Sequence, residues 1–590
     1  MEKYNRLAIA FVLLLTLSIS AYSITQPHML SMNSYSELLA TKNILQGNAS
    51  GARPLHQLTA FIYGISNSSG SFNSVLLMNI AKVLVVIFSV LSALALYFML
   101  KQILSEIAAI GGAVLLASSQ SFMIRMSSGV YSSDSLGMCA LILGCSAFFL
   151  FYNKKNYLFL LLSLLLLGLS SVSWNAGPVM VGGVALSLLI QLIYQCRGKL
   201  DKMLAYGVVG AFAIFMLSYL AFPQQSIFKD MKWDNLQIHI LNVPLVIVGI
   251  VAFAAWVIGR HKCRAGFELF IASFFVFSVI VGVYDVFSPA FGVAIFSAFA
   301  LEEMIGLKDE RLAIAIFAIA LFFTSFEFSH SLLSTEQALL ASFLAAATTV
   351  FIASLYRERR ITAYLVFSIV LFSLFSSIGA AALLSMQKMD SITSGVDETT
   401  NWVGESLPQN AEIWAYRISP MVEFNTGRKG YLNDTEFARF MLSNDSVDVL
   451  KGKNITHVII DVSLFDDIET LKALANNSKV RIDSFRFFRY ETDQQGSIYA
   501  AFVSRDGRFA FAQADPTSGN LLEGNVVIAG GDSRRVVPLS KFLVAGRNRL
   551  VYPQDNYRVN IFMMFFEDIS GLKNVHTSEE GDIKVYEVAK

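Results

Sequence analysis

Along the first two thirds of the chain, apolar residues run almost unbroken in stretches approaching about twenty, the length a helix needs to cross the hydrocarbon core of a bilayer. Thirteen such stretches stand near residues 7–25, 83–100, 107–124, 135–152, 157–173, 176–194, 204–222, 240–258, 269–284, 286–301, 312–326, 337–355 and 362–385. They predict a polytopic bundle of about thirteen transmembrane helices, with tight hairpins over 157–194 and 269–301. Polar sequence interrupts this pattern early on. Residues 26–74 form a long loop rich in Ser and Asn, with one apolar piece, 58–65, suited to a membrane surface. The stretch RMSSGVYSSDSLGM, residues 125–138, is a short polar break holding one carboxylate, Asp134.

From residue 389 the pattern changes. Residues 412–418 and 456–465 read as strands, the second with the continuous apolar run of a buried one. Residues 433–444 and 466–477 read as helices, the first capped by Asn433 or Asp434. This predicts an α/β domain over 389–480. Over 481–590, short alternating runs at 497–504, 525–530, 559–566 and 582–589 predict a β-rich module. Together these 202 residues are long enough to bury a core of their own.

Composition adds a class and an orientation. With 55% hydrophobic and 15% charged residues and a mean hydropathy of +0.55, the chain is too apolar for an ordinary soluble protein. A net charge of +1 gives no reason to expect nucleic acid as a partner. With the N-terminus cytoplasmic, sixteen Lys and Arg fall inside and only five outside: Lys42, Arg53, Arg125, Lys229 and Lys232. That asymmetry obeys the positive-inside rule for a multi-pass protein of the cell membrane. An odd number of spans then puts residues 389–590 outside. The first stretch follows Lys3 and Arg6 without a clean small-residue cleavage site, and reads as an uncleaved helix. The four cysteines, Cys139, Cys145, Cys196 and Cys263, lie in or beside membrane helices, so the outside domain has no disulfide framework.

The outside segments carry Glu37, Asp134, Asp230, Asp234, Asp285, Glu327 and Glu336 at or near helix ends. Such a rim offers the oxygen ligands that Mg²⁺ and Mn²⁺ prefer, or is merely the polar edge of helices meeting water. The spans hold almost no mid-span polar groups, which argues against a transporter.

Several segments resemble the catalytic subunit of oligosaccharyltransferase in its archaeal and bacterial single-subunit form, a C-type glycosyltransferase. SYSELLATKNILQGN (34–48) is similar to that family's first-loop segment, and RMSSGVYSSDSLGM to the second-loop segment with its D-x-D pair. LGLSSVSWNAGPVMVG (167–182) resembles the family's S-W hairpin, and residues 399–418 the stretch carrying the motif WWDYG. Residues 426–461 resemble its continuation. The resemblance implies transfer of a glycan from a polyprenyl-phosphate or -pyrophosphate carrier to asparagine in Asn-x-Ser/Thr of an acceptor protein. It also implies a divalent metal, Mn or Mg, held by outside-loop acids.

Carried over by position, the acidic set is thinned. The first-loop Asp falls on Asn33 and the Arg six residues on falls on Leu39. The D-x-D pair falls on Ser132 and Asp134, and WWDYG on Ile413-Trp414-Ala415-Tyr416-Arg417. The fifth-loop Glu is represented by Asp234 or by Glu336. The expected catalytic residues are therefore Asp134, Asp234 and Glu336, with Asp134 and Asp234 as metal ligands. Arg125 is expected at the donor phosphate, or else as a snorkelling helix-end charge. Trp414, Tyr416 and Arg417 are expected at the acceptor, although Trp414 and Tyr416 also read as core aromatics of a strand. The joint loss at Asn33, Ser132 and Ala415 keeps open an alternative: a non-catalytic paralogue serving as a binding or assembly subunit.

Overall fold

The computed structural model describes residues 2–221, 267–306 and 394–589, with short breaks inside each range. The chain divides into two compact units, Met1–Lys388 and Met389–Lys590.

The first unit is helical. Its described helices are α1 (Glu2–Ser20), α2 (Met32–Leu45), α3 (Pro54–Ser66), α4 (Ser74–Ile103), α5 (Glu106–Ser118), α6 (Ser133–Lys154), α7 (Tyr157–Ser173), α8 (Gly177–Gln195), α9 (Lys202–Ala221), α10 (Glu268–Gly282) and α11 (Ser288–Gly306). Nine of the thirteen expected stretches coincide with helices; those at 240–258, 312–326, 337–355 and 362–385 lie outside the described residues. Among the described residues, α4, α6 and α8 are long and apolar enough to cross a membrane, and five shorter apolar helices accompany them. Leu158, Leu161 and Leu165 of α7, Ile193 of α8, and Val209 and Leu217 of α9 are each more than half exposed. Aliphatic side chains turned outward in such number suit contact with a bilayer better than with water.

Helix α6 packs on α4 and α7. Close approach is possible because α6 presents glycines. A Cβ on Gly137 would lie 2.3 Å from the Trp174 Cβ at the end of α7, and Ser163 of α7 donates to the Gly144 carbonyl at 2.8 Å. The loop over 26–74 holds two helices. Pro54 at the start of α3 fixes its entry angle, and the 58–65 piece is part of this helix, with Phe61 and Ile65 exposed.

The second unit holds two sheets. The five-stranded one runs β11-β12-β3-β1-β2, built from β1 (Glu412–Ala415), β2 (Lys429–Tyr431), β3 (His457–Asp461), β11 (Leu572–Thr577) and β12 (Ile583–Val588). Here β1 is parallel to β2 and β3, whereas β12 is antiparallel to β3. The seven-stranded sheet is antiparallel, with order β8-β7-β6-β5-β4-β10-β9, where β4 is Ile482–Thr492, β5 Ile498–Ser504, β6 Phe509–Gln513, β7 Asn525–Gly530, β8 Ser533–Pro538, β9 Leu543–Ala545 and β10 Arg549–Pro553.

Two features differ from the sequence reading. The last two strands return to the first sheet, because β3 is buried along His457–Ile460 and needs a neighbour on each edge; β1 takes one and β12 the other. Residues 560–566 form a helix rather than a strand. Ile561, Met564 and Phe565 are buried at helical spacing, and the Asn560 side chain donates to the Phe440 carbonyl at 2.9 Å.

Candidate active site

The polar break at 125–138 ends in a helix start. Ser132 has extended backbone, and its Oγ accepts the Asp134 N–H at 3.3 Å, the geometry of an N-cap. The serine standing where the resemblance expects an acid therefore has a local task, capping α6. Asp134 follows in the first turn, where the helix dipole favours a carboxylate. Its Oδ2 takes a charge-assisted hydrogen bond from Arg125 Nη1 at 3.2 Å. The Asp134 side chain is 15% exposed and that of Arg125 36%, so the pair is reachable from solvent.

A second carboxylate meets this helix start. Ser133 Oγ donates to Glu37 Oε2 of α2 at 2.8 Å. His56 Nε2 of α3 bonds the same oxygen. Arg53 N–H donates to His56 Nδ1 at 3.2 Å, which leaves the ring proton on Nε2, pointed at Glu37. Burial is the largest influence on the Glu37 carboxyl and pushes its pKa up. The hydrogen bonds from His56 and Ser133, with the Arg53 charge, together outweigh it, so the group is held below its ordinary value. Glu37 is thus an ionised acceptor near neutral pH.

Tyr131 fixes these elements to one another. Its N–H donates to Ser34 Oγ at 3.0 Å, and its hydroxyl meets Thr59 Oγ1 at 2.7 Å and Thr41 Oγ1 at 3.2 Å. Burial raises the phenol well above its ordinary pKa, so it stays a neutral donor. Arg53 Nη2 reaches Asn175 Oδ1 at 3.1 Å, tying α3 to the turn between α7 and α8. The long loop and the short polar break are one assembly.

Of the expected site residues, Asp134 and Arg125 are paired here, whereas Asp234 and Glu336 lie outside the described residues. The three expected acceptor residues sit in the second unit. Trp414 and Tyr416 prove to be packing residues: Trp414 is 1% exposed among Phe437, Phe440 and Tyr431, and Tyr416 is 7% exposed and stacked on Phe437. A ring face already covered by the core is closed to a peptide. Arg417 is open, in the left-handed region at φ 57°, and pairs with Asp467 at 2.5 Å. The sequence reading did not single out His56 or Ser133, and counted Glu37 only as one of several rim acids. A signal existed: Glu37 lies four residues beyond Asn33, one helical turn along the same face of α2.

A divalent cation needs several open oxygens. Here Asp134 Oδ2 is taken by Arg125, Glu37 Oε2 by Ser133 and His56, and Ser132 Oγ by the helix cap. Among the described residues, no three His, Cys, Asp or Glu side chains gather where they could hold a metal. The described donor set does not fit such an ion.

No family model and no curated protein sequence matches the chain, but solved structures do. The oligosaccharyltransferase of Archaeoglobus fulgidus, crystallised with a tethered acceptor peptide containing the NVT sequon, matches with a TM-score of 0.62 at 13% identity. The match covers 98% of this chain and 79% of that one. This is the oligosaccharyltransferase fold. The same organism's oligosaccharyltransferase AglB, in complex with an inhibitory peptide and a dolichol-phosphate, matches with a TM-score of 0.54 at 14% identity, over 98% of this chain and 80% of that one. A third structure of that oligosaccharyltransferase, with Zn and sulfate, matches at 0.50 and 12% identity, over 97% and 79% of the two chains. These polytopic membrane proteins share the chain's order of a helical unit followed by a strand-rich one. At such identities the likeness is one of fold.

Proposed function

We propose that this chain is a membrane glycosyltransferase of the oligosaccharyltransferase type. It moves a glycan from a polyprenyl-phosphate-linked carrier to the asparagine of Asn-x-Ser/Thr in proteins on the outer face of the cell membrane. The observation that carries the reading is the meeting of Glu37 and Asp134 through Ser133 at the start of α6, on this fold. Proteins of the same fold have been seen with a sequon peptide and with dolichol-phosphate.

The transfer needs two kinds of help. The acceptor nitrogen forms a bond to the anomeric carbon and gives its proton to the Glu37 carboxylate. The bond from that carbon to the phosphate oxygen breaks, and its electron pair leaves on the phosphate. Glu37, ionised and oriented by His56 and Ser133, accepts a hydrogen bond from the incoming N–H. On the other side, Arg125 offers N–H donors to the charge growing on the phosphate, with Asp134 holding its guanidinium in place. A version that uses Mg or Mn on Asp134 and Asp234 would place the ion's charge beside Arg125, which already holds Asp134 Oδ2.

The test offers the purified protein in nanodiscs a lipid-linked glycan and a sequon peptide, and follows glycopeptide by mass spectrometry. Transfer that is lost in Asp134→Ala and Glu37→Gln supports the enzyme. If the wild type transfers from no polyprenyl-linked donor, the reading becomes that of a binding or assembly subunit. The burial of Trp414 and Tyr416, where the resemblance expects an acceptor grip, favours that second reading.

A further inference from the structure

We propose that the donor's lipid-borne phosphate is held at this site by Arg125, with Arg53 adding its charge, in place of a divalent cation. The inference rests on the transferase reading and names how that site recognises its donor. It starts from charge. Glu37 and Asp134 bring two negative charges to the start of α6, and Arg53 and Arg125 bring two positive ones. Each carboxylate is already held, Asp134 by Arg125 at 3.2 Å and Glu37 by Ser133 at 2.8 Å together with His56. A dication entering this cluster would meet two guanidinium charges and would compete with one of them for Asp134.

A phosphate meets the opposite situation. Among the described residues, Asp134 is the one hydrogen-bond partner of Arg125, through a single nitrogen, Nη1. A guanidinium carries five N–H donors in a planar fork, so four remain for phosphate oxygens. Arg125 is the more exposed partner of its ion pair, and Arg53 acts electrostatically on the same carboxylate. Ser132 supplies no charge beside Asp134, and its hydroxyl already caps the helix. Asp134 then serves to hold the arginine, as a positioning residue, and competes with phosphate for it.

That competition gives the test an opposite sign from metal ligation. Polyprenyl monophosphate is titrated against the full chain in nanodiscs, with EDTA or with Mn²⁺, and Mn²⁺ uptake is followed separately by electron paramagnetic resonance. EDTA is expected to leave lipid affinity unchanged. Arg125→Gln is expected to weaken it about tenfold, the loss of one charge-assisted contact. Asp134→Asn is expected to leave it equal or tighter, because the competing carboxylate is gone. Inorganic phosphate should displace the lipid poorly; equal competition would mean a free-anion site and overturn the lipid assignment. Affinity lost in EDTA or in Asp134→Asn, with stoichiometric Mn²⁺ uptake by the wild type, overturns the proposal in favour of a metal. Unchanged affinity in a folded Arg125→Gln overturns it as well, and if that variant fails to fold, the EDTA and Asp134→Asn arms still decide. A wild type that binds no polyprenyl phosphate under either condition overturns the transferase reading itself. Lipid binding without glycan transfer would overturn only the enzymatic part.

Discussion

The Ser133 hydroxyl donates to Glu37 Oε2 across 2.8 Å, joining the helix at the start of the long loop to the helix that carries Asp134. Ser133 is fully buried, and its acceptor is an ionised carboxylate. Ser133→Ala is expected to lower stability by about 1.5–3 kcal/mol, the range for a hydrogen bond to a charged group. It should also reduce transfer, because Glu37 then loses one of the two side-chain hydrogen bonds, from Ser133 and His56, that orient it. Thermal melting in detergent and the glycopeptide assay measure the two effects. Unchanged values in both would mean that the two helices are held by other contacts.

Tyr131 offers a cleaner probe of the same junction, since its hydroxyl touches neither carboxylate. Tyr131→Phe keeps the buried ring but removes the partner shared by Thr41 and Thr59. A loss of about 0.5–1.5 kcal/mol is expected from the missing hydrogen bonds, since the Thr41 and Thr59 hydroxyls keep their bonds to the Glu37 and Leu55 carbonyls. The mutant's unfolding midpoint in denaturant should fall without a change in slope.

Gly137 lies one turn beyond Asp134, against Trp174. A methyl group placed there would sit 2.3 Å from the Trp174 Cβ and 3.1 Å from its backbone nitrogen. Backbone cannot yield as a flexible side chain does. Gly137→Ala is therefore expected to cost about 1–3 kcal/mol by overpacking, in spite of the better helix propensity of alanine. A melting temperature equal to or above that of the wild type would show that α6 and the α7–α8 turn can separate.

Acid should destabilise the second unit earlier than carboxylate protonation alone would. Burial holds both His457 and His576 below the ordinary histidine pKa, against the opposing charges of Glu587 and Glu398. The unfolded chain then binds these protons more readily than the folded one. This contribution is complete above about pH 6.5 and falls as pH drops from there towards the folded values. Glu37 acts lower down: its depressed pKa gives stability that is present above about 4.3 and is lost as pH falls through its folded value. Denaturant melts of the full chain between neutral and mildly acidic pH, with and without His457→Asn, test the first part. A curve that is flat in the wild type contradicts it.

How far these features can be read in the sequence depends on the range of the interaction that creates them. The apolar stretches are local and periodic, and those in the described residues fold as helices where expected. The Asn433 cap is local too, its side chain accepting from the Glu436 N–H at 3.1 Å. The helix at 560–566 was hidden because NIFMMFF is apolar at nearly every position, so period two and period 3.6 cannot be told apart. The return of β12 to β3 was hidden because register between strands more than a hundred residues apart leaves no local trace. At the site, Asp134 stood out as a lone charge between apolar runs. Glu37 and His56 did not, since their partnership across 19 residues depends on how α2 and α3 lie together.

Trp414 tests what the second unit contributes. Its indole is 1% exposed, stands edge-on to Tyr431 and Phe437, and among the described residues leaves Nε1 without a hydrogen-bond partner. An aromatic kept for hydroxyl recognition would present that N–H or a ring face to the peptide; this one is enclosed in the core of the five-stranded sheet. Trp414→Ala is expected to cost about 3–5 kcal/mol, the usual loss on emptying a large core site. Trp414→Phe should cost less and, by removing a buried unpaired donor, recover part of the lost volume term. Sequon-peptide affinity, measured by fluorescence anisotropy on folded Trp414→Phe, should equal that of the wild type. A selective loss of peptide binding in that variant, with an unchanged melting temperature, would return Trp414 to the acceptor site.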